Sequence, residues 1–243
     1  MEENLDYLIK TIDNIALKAD YIDIKASKGN NTNIIMKDNK IQEVNTGIDI
    51  GARIRVLKNG AWGGFAFTND LNKLDEIAKT AIKLSNVLNG DVELAEAEIV
   101  EDNVKTPRKI PFSDVTIEDK KEIITDASKA ATLGNVSSTT VSYSDSESKS
   151  VFVNSEGSSI SMDETRVGLF LNAAASSGDI IQFGHGSIGG AKGFEALKDQ
   201  DIEKFGRNIG EKANRLLKAN TPPSGNFSIV ADNELTGVLY MKH

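Results

Sequence analysis

The 243-residue chain offers two imidazoles, His185 and His243, and no cysteine. A nucleophilic triad needs a histidine within reach of a serine, threonine or cysteine. His185 lies in Phe183-Gly184-His185-Gly186-Ser187, where the flanking glycines read as a loop beside a turn. The run from Gly184 to Gly193 includes Lys192 but lacks the G-x-x-x-x-G-K-[ST] spacing that cradles phosphate. It reads as a flexible connection or a strand bend. The acidic pairs Asp145/Glu147, Asp163/Glu164 and Asp232/Glu234 are of a type that holds hard cations. Without positioned partners they read as solvated turn residues.

Composition narrows the function classes. The net charge is −8, with 39% hydrophobic and 26% charged residues, the make-up of an ordinary globular protein. A nucleic-acid surface needs a basic stripe. Here Lys and Arg are scattered, and Lys120-Lys121 is the nearest thing to a patch, so no nucleic-acid partner is expected. No apolar run reaches the roughly 18 residues that cross a bilayer, so no membrane partner is expected either. The opening MEENLDYLIK is acidic and helical in pattern, unlike a secretory signal. Together with the lack of cysteine this fits a cytoplasmic location.

Helical spacing of apolar residues places helices over 3–19, 71–88, 117–134 and 202–217. Thr68-Asn69-Asp70 and Thr116-Ile117-Glu118-Asp119 supply caps for two of them. Alternation places strands at Tyr21–Ser27, Thr32–Lys37, Lys40–Val44, Ile48–Val56, Trp62–Phe67, Thr139–Ser146, Lys149–Asn154, Ser158–Met162, Arg166–Ala175, Asp179–His185 and Phe227–Ala231. Asp38-Asn39, Asn59-Gly60 and Ser177-Gly178 read as hairpin turns. Gly63 and Gly64 interrupt their strand, which signals a bulge or a close backbone approach. The hairpin Gly47–Thr68, with the only Trp in the chain, reads as the heart of a sheet. Between Asn89 and Pro111 the pattern dissolves into a connector, with an edge strand over Val92–Val100 as its one candidate element.

The expected fold is α+β: two similar lobes of antiparallel strands with packed helices, from an internal duplication. The expected divisions are a first lobe over 1–90, a connector over 91–113, a second lobe over 114–220, and the start of a further domain over 221–243.

Three segments also carry a resemblance. Gly47–Thr68 (GIDIGARIRVLKNGAWGGFAFT), Val151–Gly157 (VFVNSEG) with Arg166-Val167-Gly168, and Pro223–Leu239 (PSGNFSIVADNELTGVL) occur in this order. The ordered set resembles the amino-terminal part of the TldD/PmbA family of zinc metallopeptidases, whose other label is modulator of DNA gyrase. The resemblance implies proteolysis and peptide maturation on unfolded peptides, in a homodimer or a heterodimer of paralogues. It also implies zinc, held by a H-E-x-x-x-H motif whose Glu serves as base. Aligning Gly237-Val238-Leu239 with the family's G-V-L puts Met241 at the first His and Lys242 at the Glu. A thioether and an ammonium replace neither, and His243 falls on a small-residue position. No catalytic or metal-binding residue is therefore carried over, and zinc is expected for the full-length family only.

The leading expectation is a truncated amino-terminal portion, inactive alone, that forms a wall of a peptide cleft. Candidate residues of that wall or sheet edge are Arg53, Arg55, Trp62, Phe65, Asn154 and Arg166, and Gly47–Thr68 and Val151–Ala175 are the candidate edges for strand addition. The alternative is a non-catalytic module that binds peptide or a paralogue. An indirect effect on DNA gyrase, through a protein partner, is a third reading.

Overall fold

The structure, a computed structural model, describes residues 8, 10–14, 19–221 and 223–240. Its frame is four very long strands in two hairpins. β1 (Tyr21–Lys37) and β2 (Lys40–Lys58) turn at Asp38 and Asn39, both at positive φ. β5 (Val136–Asn154) and β6 (Ser159–Ser177) form the second hairpin. β1 and β5 pair antiparallel along their length and join the hairpins into one sheet. β3 (Ala61–Thr68) flanks β2, and β7 (Ile180–Gly190) flanks β6. β4 (Glu101–Lys105) adds parallel to the start of β6.

The helices follow their strands. α1 (Leu74–Ser85) comes after β3, preceded by a short turn in which Asp70 accepts from the Asn72 N–H. α2 (Ile117–Ala131) begins at a capping box formed by Thr116 and Asp119. α3 (Glu195–Lys198) and α4 (Ile202–Leu216) follow β7, and α5 (Asn233–Tyr240) comes last. Residues 10–14 are helical. The rest of the helix expected over 3–19 lies outside the described residues, apart from 8 and 19.

Register and the two-residue period of a strand fix which side chains share a face. On β1 the even-numbered residues share one face, and their β5 partners are odd-numbered. At one end Ile22, Ile24, Val151, Val153, Ile54 and Val56 are buried under Leu74, Ala78 and Ala81 of α1. At the other end Ile34, Met36, Val141, Tyr143, Leu169 and Leu171 are buried under Ile124 and Ala127 of α2 and Ile209 and Ala213 of α4. All the β1 members of both cores are even-numbered, so both helix layers cover the same face. The opposite face carries no described helix.

Gly63 and Gly64 act as their positions imply. The pairing of β2 and β3 slips at Val56/Leu57, which leaves Gly63 as the extra residue. A Cβ on Gly64 would collide with the Ala81 carbonyl of α1. Only glycine lets the helix rest on the strand there.

The fold is α+β, as expected, and the two lobes are the two ends of one continuous sheet. From the centre outward the first half runs β1, β2, β3 and the second β5, β6, β7, so the halves match in order. Several boundaries differ from expectation. The pairs of short strands expected at 21–37, 40–56, 139–154 and 158–175 are single strands, because ladder pairing carries the chain through polar stretches where alternation fades. The hairpin Gly47–Thr68 is peripheral, with β3 on the sheet's edge. Val92–Val100 is exposed and irregular; the strand starts at Glu101, where pairing with Ser159 begins. Phe227–Ala231 forms no strand. Phe227, Ile229 and Val230 are exposed, and without a neighbouring strand alternation has no ladder to join.

Candidate functional site

The expected wall residues lie on the helix-free face. Arg53 and Arg55 alternate on β2 and oppose Phe67 and Phe65 on β3. Arg55 grips Asp23 through its Nε at 2.9 Å and a terminal nitrogen at 2.5 Å. Its guanidinium lies 4.8 Å from the Trp62 ring centroid, and Tyr21 meets Trp62 edge-on. Asp23 is fully buried, and its hydrogen bonds hold the Arg55 pKa above its ordinary value. The Arg53 Nε is buried with no hydrogen-bond partner among the described residues.

Asn154 has a turn-forming role, since its Oδ1 accepts from the Glu156 and Ser158 N–H groups. Arg166 lies apart, opposite Ser146, in a loose 3.9 Å pair with Glu164. The segment Val151–Ala175, expected to offer an edge, is mostly interior. β5 lies between β1 and β6, β4 covers residues 159–163, and β7 covers 167–177.

The open edge is elsewhere. β3 pairs with β2 only from Ala52 to Lys58, so Lys40 to Gly51 has no described strand on its outer side. Ile48 on this stretch is 69% exposed, and Ile41, Val44 and Ile50 are exposed too.

A second feature has no counterpart in the sequence expectations. Between the two cores the helix-bearing face turns polar. Lys28 and Asn30 of β1 face Lys149 and Glu147 of β5, and Lys149 and Glu147 face Asp163 and Thr165 of β6. With Arg108 from the connector, these residues line a groove of ≈ 390 Å³, Thr165 excepted. Arg108 clamps Asp163 with two bonds of 3.0 and 3.1 Å and reaches Glu147 at 3.5 Å. The signal was in the sequence: the expected strands break at Lys28–Asn31 and at Glu147-Ser148.

Beside the groove, two residues further along β1 and β5 on the same face, lies a buried polar knot. Lys120 of α2 pairs with Asp145 at 2.6 Å and donates to the Thr32 hydroxyl. Tyr143 donates to the same Asp145 carboxylate at 2.5 Å. Burial first, then the bond and the charge of Asp145, push the Tyr143 phenol far above its ordinary pKa. Nearby, Glu195 fastens the connector by accepting from the Lys109, Ile110 and Gly193 N–H groups. Burial opposes its ionisation, yet these backbone donors outweigh it and hold the carboxyl at about 2.

Imidazole chemistry is not assembled here. His185 is exposed on β7, opposite Asn172 and beside Phe170; it lies in the strand expected over Asp179–His185, which its flanking glycines do not open into a loop. His243 lies outside the described residues. Among the described residues no three metal-ligating side chains come together, and no helix is long and apolar enough to cross a membrane. The donor set thus does not fit the zinc site that the resemblance implies.

The family profile for the PmbA/TldA metallopeptidase central domain matches residues 110–217, and that for domain 1 matches 22–85. A protein named metalloprotease from Methanothermobacter thermautotrophicus is 52% identical over 98% of this chain and 52% of its own length. Metalloprotease MJ0996 of Methanocaldococcus jannaschii is 35% identical over 95% of this chain and 52% of its own. The chain therefore spans about half the length of these curated relatives. Among solved structures, a Thermotoga maritima protein named for modulation of DNA gyrase superposes with a TM-score of 0.73 at 18% identity, covering 93% of this chain and 50% of its own. TldE of Thermococcus kodakarensis gives 0.63 at 16%, covering 88% and 47%. These two share the fold. The matched profiles and relatives together show that the chain belongs to the PmbA/TldA (TldD/PmbA) metallopeptidase family.

Proposed function

We propose that this chain is the peptide-gripping portion of a PmbA/TldA-type metallopeptidase that acts on unfolded peptides in the cytoplasm. The observation that carries this reading is the outer edge of β2 from Lys40 to Gly51. At the matching place in the second half, β4 lies against the start of β6 as an added strand. In the first half that slot is open. Backbone N–H and C=O groups along such an edge bond any extended chain without regard to its sequence, and alternate side chains add selectivity. Ile48 and Ile50 then offer apolar contact to every second residue of the guest. The hydrolytic step is assigned to residues outside these 243, because the described donors do not form a metal site.

The test uses the 243-residue chain and a fluorescent unstructured peptide. Binding without cleavage, with or without added zinc, is expected. Outward-pointing N–H groups alternate along an edge, so one of Ile48→Pro and Asp49→Pro removes an outward donor while the other breaks the ladder to β1. The variant that keeps its melting temperature should lose peptide binding. Cleavage by this chain alone would overturn the division of labour. Undiminished binding by both variants would overturn the edge.

A second reading, a module that docks a paralogue or a second copy, is favoured by the helix-free face. Phe65 and Phe67 are exposed at one end of it and Phe170 and Phe183 at the other, and exposed apolar side chains of this kind mark protein interfaces. Light scattering across a concentration series decides it: a monomer throughout excludes the second copy, and titration with a paralogue tests the other partner.

A further inference from the structure

We infer that the central groove is an anion site, taking a carboxylate or phosphate group between Lys28 and Lys149. These two lysines are direct register partners on β1 and β5 and share the helix-bearing face. Cβ atoms so placed stand about 5 Å apart, and like charges directly opposite destabilise a sheet. Among the described residues no side chain relieves the repulsion. The nearby carboxylates are already engaged, because Arg108 holds Asp163 in a two-bond clamp and reaches Glu147. Among the described residues neither ammonium has an ion pair. The groove thus holds three cationic side chains against two carboxylates, and the unmatched charge lies with the lysine pair.

Two uncharged groups lie in and beside the groove. Asn30, one step along β1 from the lysine row, lines the same groove. Thr165, opposite Glu147, is buried, and its hydroxyl has no partner among the described residues. A hydrated anion in the groove supplies an acceptor and bridging water to Asn30. A cation would add to the repulsion, and an apolar ligand would strip water from two ammonium groups without replacing it. The ≈ 390 Å³ groove admits a small anion together with its first waters. Both lysines are exposed, so binding depends on ionic strength and weakens as salt screens the pair. Lys28 and Asn30 are register partners of Ile50 and Ile48, so the site adjoins the β2 edge; titrating a small anion without peptide keeps failure of the site distinguishable from failure of the peptide-gripping reading.

The experiment titrates inorganic phosphate and, separately, N-acetylglutamate into the 243-residue chain at low ionic strength, following melting temperature and backbone amide shifts. A saturable response centred on Lys28, Asn30 and Lys149 is expected from at least one anion. Which anion responds assigns the group: phosphate alone, carboxylate alone, or any small oxyanion. Lys28→Gln with Lys149→Gln should weaken Kd by about tenfold or more, equivalent to about 1.4 kcal/mol. It should also keep or raise the melting temperature without anion, since repulsion is removed. Lys73→Gln with Lys79→Gln, on the exposed side of the α1 region, makes the same charge change and should leave binding intact. No saturable response to either anion, or equal loss in both double variants, overturns the site. If the groove double variant fails to fold, the single variants Lys28→Gln and Lys149→Gln give the same readout.

Discussion

The two halves of the sheet follow one plan and close it differently. In the first half the buried ion pair is Asp23–Arg55, on the helix-free face and capped by Trp62. In the second it is Lys120–Asp145, on the helix-bearing face and enclosed by α2. The first half leaves the outer edge of β2 open, whereas the second fills the corresponding edge with β4 and β7. One half is thus finished inwardly, its charge used to fasten a helix. The other keeps its charge and its edge on surfaces that a further chain can reach. The shared plan builds the core, and the unshared closure is where binding is to be sought.

The sharpest way to break this contrast is Lys120→Met. It strands the Asp145 carboxylate beside Tyr143 in a closed site, and removing one partner of a buried pair costs about 3–5 kcal/mol. Urea denaturation should show that loss, and adding Asp145→Leu should recover part of it. Unaltered stability in the single variant would mean that the pair does not fasten α2.

Next come paired truncations, Ile24→Ala in the first core and Leu171→Ala in the second. Each side chain is fully buried, and each change should cost about 2–5 kcal/mol. Because β1 and β5 join the halves in one ladder, either variant should still melt in a single transition. Two separated transitions would show that the halves are independent units.

A smaller effect is expected at the more open pair. Asp23→Asn keeps the shape but weakens a charge-assisted bond to Arg55, costing about 1–3 kcal/mol. It should also change Trp62 fluorescence, because the guanidinium is held over that ring. A cost equal to that of Lys120→Met would erase the distinction drawn between the two halves.

The smallest effect shows its signature in acid. Glu195 ionises at about 2 in the fold against an ordinary 4.5, so its contribution is present above that ordinary value. It fades as pH falls from about 4.5 towards 2. Glu195→Gln should lower stability at neutral pH and flatten this part of the acid limb. An acid limb unchanged by the substitution would assign the transition to other carboxylates.

Much of the fold was legible in the residues. Asp38-Asn39 and Asn59-Gly60 announced hairpins because few residues tolerate positive φ, and Thr116 with Asp119 announced the start of α2. The candidate site was less legible. Arg53, Arg55, Trp62 and Phe65 do gather at one corner, since they lie on adjacent strands of one hairpin. The groove escaped notice because Lys28–Asn31 and Asp145–Lys149 lack alternation, and a polar stretch looks the same in a turn as in a strand floored by water.

The sequence alone thus determined local geometry, namely caps, turns and strand periods, because those depend on neighbours within a few residues. Whether Gly47–Thr68 is central or peripheral, which edge stays open, and that Lys28 meets Lys149 were decided only by tertiary pairing. Those facts depend on which distant strand supplies the ladder, and hydrogen bonds between backbones carry no record of their partner in the side chains.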